Sequence, residues 1–600
     1  MLHESRLHEM RLPPRQKSRR TVVRGCARAG FFSAVLLCIA WLPVSLTGAN
    51  AAQAQTAKPS DAVVSGLVQK LADSLPIKGA RVQLLSLEDH TRSVTINTDI
   101  AGHFELRGVS AGRYRLRVSH DGFLMQEYGA RKAGEAGATL TVRSAQTISD
   151  LVFRMTPSAV IAGRVINEDG EPLPWARVTA LREVYSDGKR RLAAETTSPT
   201  NDLGEYRLFG LKPGRYFVSA DYHPGVHSCT DLDAATDHSA PNGYTLANGV
   251  LVPDPVPANS TVPAYVPTFY PNSVDAAKAA PVVVKAGEEI SSIEISLALT
   301  SAYTVRGRVL NQVGSHLSAG VTLTLAPRNT TQSFGLPGRN FTLDGPEGSF
   351  AITNVLPGAY VLLAQWFDGA TQYQAVQNID VGNADLNGVN PIIASGIPLR
   401  GHLTWDGPPS TVRGSLLIFL REMDIDGAGG TASRTQADGS FVAPNVYEGT
   451  YHVFVAGQSQ DAYLEAVRYG AVDGLTDGFT VRRGADASLE ITLSSKGARV
   501  QGAVLDADNL PAVGVSVVLV PNDPHRGDLQ RYKVVTTDQN GRYVLRGVAP
   551  GDYKLFSWED MDQNAWQDPE FLRPFEDRGE KVTVDANDQK TIDLAAIRNK

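Results

Sequence analysis

The 600-residue sequence predicts an all-β fold: five tandem seven-stranded Greek-key β-sandwiches, prealbumin-like or Ig-like, after a signal peptide. Three observations predict it. One motif recurs five times with no insertion or deletion. It runs from Gly102-His-Phe104 to Gly112-Arg-Tyr114, Gly204-Glu-Tyr206 to Gly214-Arg-Tyr216, Gly348-Ser-Phe350 to Gly358-Ala-Tyr360, Gly439-Ser-Phe441 to Gly449-Thr-Tyr451, and Gly541-Arg-Tyr543 to Gly551-Asp-Tyr553. A strand alternating around a glycine lies 48 to 53 residues before each closing tyrosine, at Gly66, Gly163, Gly307, Gly401 and Gly502. Between these marks the hydrophobic period is two, and turn residues interrupt it at the spacing of a sandwich.

The first unit shows the elements in order. Strands are expected at Val63–Val68, Ala80–Leu85, Ser93–Asn97, His103–Arg107, Tyr114–Ser119, Thr139–Arg143 and Ser149–Met155, each alternating apolar and polar. No window supplies a helix longer than two turns. Asp438-Gly439 and Asn540-Gly541 are hairpin dipeptides whose glycine accepts positive φ. The aromatic that follows opens an inward-facing strand, and the position five residues later is always apolar (Val109, Leu211, Val355, Val446, Val548). Leu211-Lys-Pro213-Gly214-Arg-Tyr216 then turns the chain and starts the next strand with a tyrosine. That is the pattern of a tyrosine corner, in which the buried ring hydrogen-bonds back across the turn. The repeated residues therefore make fold rather than chemistry.

Successive corner tyrosines are 102, 144, 91 and 102 residues apart, so the unit is about a hundred residues, with one insertion. The expected sandwiches are 55–157, 158–300 with a loop insertion at 222–264, 301–396, 397–496 and 497–600. Residues 1–54 read as the signal peptide: eight Lys/Arg, an apolar run from Phe31 to Leu46, then small residues that place the cut after Ala51 or Ala54. The alternative is an uncleaved anchor; after cleavage no transmembrane span is expected. The mature chain keeps 49 Lys/Arg against 61 Asp/Glu, a net charge of −12, and a single cysteine, Cys229. Acidity removes the electrostatic case for nucleic acid, and one thiol excludes a disulfide framework. Short linkers at Thr156-Pro157-Ser158 and Ser494-Ser-Lys496-Gly predict that neighbours touch. With the negative charge disfavouring collapse, the expected arrangement is an elongated or gently curved array.

The opening strand, "DGEPLPWARV" at Asp169–Val178 and "NDLGEYRLFGLKPGRY" at Asn201–Tyr216 resemble carboxypeptidase regulatory-like domains. The fifth unit repeats them as "LDADNLPAVGVSVVL" and "TDQNGRYVLRGVAPGDY". The similarity runs over essentially all of 60–600 and is clearest in the second and fifth units. It implies kinship with transthyretin-like and collagen-adhesin B-type sandwiches and a carbohydrate-binding-like fold. Fold alone does not fix function.

Chemical motifs are sparse. Gly108-Val-Ser110-Ala-Gly112 matches a nucleophile elbow, but a strand rather than a helix follows it. His223, His227, Cys229, Asp231, Asp233, Asp237 and His238 are competent metal ligands in a Pro/Gly/Ala stretch confined to the second unit, and read as a solvated loop. Asp424-Ile-Asp426-Gly427 and Asp560-Met-Asp562 lack the spacing of a calcium loop and read as turn acids. No H-E-x-x-H occurs, and neither a metal nor another cofactor is expected. The candidate binding residues are aromatics outside the repeat motif: Tyr128, Tyr270, Trp366, Tyr469 and Trp566. Flat rings with polar edges stack on sugar faces, and packing between units is the competing use. The expectation is a non-enzymatic exported binding or scaffold protein of a bacterial cell envelope, periplasmic, on the outer-membrane surface or extracellular. Its partner would be an envelope protein or a surface polysaccharide. The alternative is a carbohydrate-binding protein that uses the loop aromatics.

Overall fold

The computed structural model describes residues 62–598 apart from 90–91, 187, 223–243, 248–249, 254–261, 312–320, 329–338, 343–347, 369–370, 409–414, 423–429 and 485–486. The signal peptide, the His223–His238 cluster and the Asp424–Gly427 turn lie outside the described residues. The chain is all-β, and its single α-helical turn among the described residues is Pro569–Leu572.

Five times, two sheets face each other over their own hydrophobic core. In the first sandwich, strand Ala62–Lys70 lies between His103–Val109, antiparallel, and Thr147–Met155, parallel. The facing sheet runs Ser93–Asn97, Arg81–Ser86, Gly112–Ser119, with Gln126–Glu127 and Leu140–Val142 both on the last strand's open side. Val64, Val82, Leu116 and Phe153 fill the space between them. All seven strands of the sequence reading are present, and the opening strand lies between an antiparallel and a parallel neighbour in every unit, while the third unit adds Thr371–Val381 to its facing sheet and the fourth adds Tyr463–Tyr469 to its opening sheet. The second unit's insertion departs from a plain loop. It contains the antiparallel pair Tyr244–Ala247 and Val250–Pro253, and its end, Val262–Tyr265, pairs with Leu299–Arg308 of the third sandwich.

The repeated glycine and aromatic are partners. Gly66, Gly163, Gly307, Gly401 and Gly502 sit in register opposite Phe104, Tyr206, Phe350, Phe441 and Tyr543. A Cβ on Gly163 would lie 1.7 Å from the Ile293 carbonyl oxygen of the neighbouring parallel strand. Glycine is therefore required by approach, not by φ. Tyr206 donates its hydroxyl to that same carbonyl at 2.9 Å, and Tyr543 does likewise to Ile592 at 2.7 Å. One aromatic ring thus covers the glycine and ties two strands together.

The tyrosine corner is present in all five units. Tyr114, Tyr216, Tyr360, Tyr451 and Tyr553 donate to the carbonyls of Ser110, Lys212, Leu356, Tyr447 and Ala549, four residues earlier, at 2.7–3.1 Å. Burial pushes the Tyr216 hydroxyl up to about 12, so it remains a donor. A buried threonine latch accompanies the corner. Thr98, Thr200 and Thr537 each accept a backbone N–H (2.8–2.9 Å) and donate to a carbonyl (2.6 Å) across the turn before the second strand. In the fourth unit Thr435 accepts from Leu416 at 2.9 Å.

Two expectations follow for unfolding in denaturant. Tyr553→Phe removes one hydroxyl from a carbonyl and is expected to cost about 0.5–1.5 kcal/mol. Gly163→Ala drives a methyl into the Ile293 carbonyl and is expected to cost about 1–3 kcal/mol or more. Wild-type stability in Gly163→Ala would contradict the packing account.

Candidate functional site

Three of the five candidate aromatics are core. Trp366 is 4% exposed and packs on Tyr373 at 5.0 Å between ring centres. Tyr469, 7% exposed, packs on Phe479 at 5.0 Å, and Trp566, 7% exposed, packs on Tyr532 at 5.1 Å. Rings so enclosed have no face to offer a sugar: Trp366 and Tyr469 belong to the third and fourth cores, and Trp566 to a second apolar cluster of the fifth unit. Tyr270 is half-buried and leans on the second core. Tyr128 is half-buried against the first core, but it also lines a cleft.

That cleft is built from two sandwiches. On one side is the loop between Gly112–Ser119 and Leu140–Val142 of the first. Tyr128 donates its N–H to Leu116 (2.8 Å), and its carbonyl accepts from Ala138 (2.7 Å). The Glu127 carboxylate holds the loop's base, accepting from Arg115 (2.8 Å) and from the Gly137 N–H (2.9 Å). On the other side is the hairpin turn Asp538–Arg542 of the fifth sandwich. There one Asp538 carboxylate oxygen accepts the N–H groups of Asn540 and Arg542 at 2.8 and 2.9 Å. The cleft is open to solvent and holds ≈ 710 Å³, lined by Tyr128, Thr141, Arg143, Gln146, Gln539 and Arg542 among others.

Hydrogen bonds close the junction. The Gln539 carboxamide accepts from the Thr141 N–H (3.2 Å) and donates to the Thr141 carbonyl (3.3 Å), capping the outer edge of strand Leu140–Val142 as a neighbouring strand would. Thr536 donates to the Gly137 carbonyl at 2.9 Å. Gly514 permits the closest approach: a Cβ there would lie 1.7 Å from the Gly129 carbonyl oxygen. Charge extends the contact. Arg131 faces Glu559 at 3.7 Å, Lys132 pairs with Asp560, and Arg182 of the second sandwich reaches Asp562 at 3.5 Å. Burial raises the Glu135 carboxyl above the ordinary range, with Lys132 and Lys212 pulling against Asp560 and Asp562. Beside this knot, Tyr185 of the second sandwich packs on Phe571 of the fifth at 6.2 Å.

The fifth sandwich therefore returns onto the first and second, and the open array expected from linker length and net charge is not formed. Net charge misleads because the charges are sorted. The acids at 559, 560 and 562 face bases at 131, 132 and 182, so the junction is complementary although the chain is acidic.

Sequence reasoning also missed Trp175, which is 49% exposed. It occupies a left-handed turn (φ 63°) where the first and fifth units have Gly79 (φ 76°) and Gly514 (φ 70°). Aligning the units at Pro76, Pro172 and Pro511 would have exposed the substitution. Among the described residues no group of three or more His, Cys, Asp and Glu could hold a metal ion, and no helix is long and apolar enough to cross a membrane.

Two stretches, 63–156 and 499–596, match the carboxypeptidase regulatory-like domain family. Those two stretches are carboxypeptidase regulatory-like domains. They are the first and fifth sandwiches, the pair that forms the cleft. The human BOS complex subunits NOMO3 and NOMO1 are each 32% identical over 109 residues, 18% of this chain. The matched stretch spans 8% of the length of those relatives. Among solved structures, the chain is similar to GBS52, the minor pilin of Streptococcus agalactiae, at 11% identity and a TM-score of 0.20, covering 40% of this chain and 97% of that one.

Gln539→Ala removes both bonds to Thr141 while leaving the two sandwich cores intact. Amide exchange at Thr141 is expected to quicken several-fold, with Leu116 and Leu519 unchanged. Unaltered exchange at Thr141 would contradict the junction.

Proposed function

We propose that the chain is a non-enzymatic, exported binding and scaffold protein of a bacterial cell envelope. In this reading its five sandwiches are domains with boundaries near 157, 300, 396 and 496, and its binding surface is made where the first and fifth meet. The observation that carries the reading is the junction itself. Two carboxypeptidase regulatory-like domains nearly four hundred residues apart in the chain, joined by Gln539 and Thr141, enclose a polar cleft between them. The repeated motif residues are committed to corners and strand pairs, so ligand contacts fall to residues peculiar to single units. The cleft's one carboxylate, Asp538, is committed to its own turn, which favours recognition over acid–base chemistry. Export rests on the sequence of residues 1–54, and the periplasm, the outer-membrane surface and the extracellular space all accord with it.

Carbohydrate is the second reading, and Tyr128 is the observation that favours it. Of the five candidate aromatics it alone lines the cleft, beside planar hydrogen-bonding side chains suited to hydroxyl pairs. Trp366, Tyr469 and Trp566 do not support it.

N-terminal sequencing of exported protein is expected to begin near residue 52 or 55; Met1 on the folded exported chain would contradict this. On panels of peptides and glycosides the mature chain is expected to hydrolyse none. On an array of envelope polymers it is expected to retain at least one, less so as Gln539→Ala. Turnover of any panel substrate would contradict the non-enzymatic reading.

A further inference from the structure

The charges of the cleft point beyond a generic polar surface. Arg143 enters from the first sandwich and Arg542 from the fifth, both exposed. Their backbone N–H groups are used, by Gln146 and Asp538, but among the described residues neither guanidinium takes part in an ion pair or side-chain hydrogen bond. Their neighbours differ. Arg115, Arg131 and Lys132 are each paired with a carboxylate of the same junction. In an acidic chain, leaving two guanidiniums unpaired on opposite walls of one cleft makes a local positive field that Asp538 only partly offsets. A guanidinium presents a planar fork of donors that matches a carboxylate bidentately. Tyr128, Gln146 and Asn540 line the same cleft. A ring face and neutral hydrogen-bonding groups suit a hydroxylated ligand.

We propose that the cleft between the first and fifth sandwiches binds a carboxylate-bearing saccharide, a uronic acid unit of an acidic polysaccharide, with Arg143 and Arg542 gripping the carboxylate from opposite walls. This rests on the carbohydrate reading above and names its ligand class. Tyr128 and the carboxamides contact the sugar ring and hydroxyls. Because each domain supplies one arginine, the ligand binds only the docked pair and so holds the junction closed by mass action.

The test is calorimetric titration of the full mature chain with three probes: a galacturonate oligomer, the same oligomer with its carboxyls reduced to alcohols, and a glutamate oligomer of equal charge. The galacturonate oligomer is expected to bind, and Arg143→Gln and Arg542→Gln are each expected to weaken it at least about tenfold. Both substitutions lie on exposed side chains without partners, so the fold stays intact. Added salt is expected to weaken binding, and the reduced oligomer is expected to fail. Gln539→Ala, which loosens the junction without touching either arginine, is expected to weaken binding as well. Equal binding of the reduced oligomer, indifference to both arginine substitutions, absence of binding, or glutamate binding as tightly would each overturn the proposal. If the galacturonate oligomer fails while array retention still depends on Gln539, the proposal falls and the scaffold reading stands.

Discussion

One constraint underlies each sandwich: the opening strand must accept a parallel neighbour on one side and an aromatic-bearing antiparallel neighbour on the other. The space for both exists only if that strand carries glycine at the crossing. At Gly163 and Gly502 the neighbour's carbonyl occupies the position of a Cβ, and the ring of Tyr206 or Tyr543 lies over the gap and bonds to the same carbonyl. Phenylalanine replaces tyrosine in the first, third and fourth units, where the ring covers the glycine without the hydroxyl. Corner tyrosine and threonine latch then fix the two turns that carry the chain between sheets. With these contacts local to each unit, the connecting loops can vary without disturbing the cores.

Variation in those loops produces the junction. The loop after the first unit's corner strand carries Gly129, Arg131, Lys132 and Gly137, and the fifth unit offers Gly514, Thr536, Gln539 and the acids at 559–562 to meet them. Backbone approach at Gly129 and Gly514 sets the distance, side-chain hydrogen bonds set the register, and ion pairs at the rim add little each but favour this partner over others. The fifth sandwich is also apolar on both faces of its strand Ser516–Pro521. Val517 and Leu519 point to its own core, while Val518 and Val520 lie under Trp558 and Trp566 in a second cluster that Tyr185 of the second sandwich borders.

Much of the fold was legible because it is repetitive and local. A period of two, glycine-marked turns and five aligned motifs locate every strand of the first unit but the two-residue Gln126–Glu127 to within a few residues, and the corner hydrogen bonds occur where Leu-Lys-Pro-Gly-Arg-Tyr implies them. The threonine latch was equally readable, four residues before the motif glycine in four units, and was missed because threonine is common at strand ends. Of the site, only Tyr128 was legible. Contacts such as Thr141 with Gln539 join positions about four hundred residues apart, and no periodicity encodes them. Aromatic residues were a poor guide for the same reason: sequence shows that Trp366 and Tyr469 follow a corner, not which way their rings turn. Trp175 shows the converse, since an exposed tryptophan at a glycine position is visible once the units are aligned.

The central claim is that the first and fifth sandwiches meet and enclose one cleft. It is tested most directly by a distance between spin labels at Arg143→Cys and Arg542→Cys in the mature chain, with Cys229 replaced by serine. A single short, narrow distance distribution is predicted, unchanged when the protein is diluted. A broad distribution at lengths spanning several sandwiches would contradict the account.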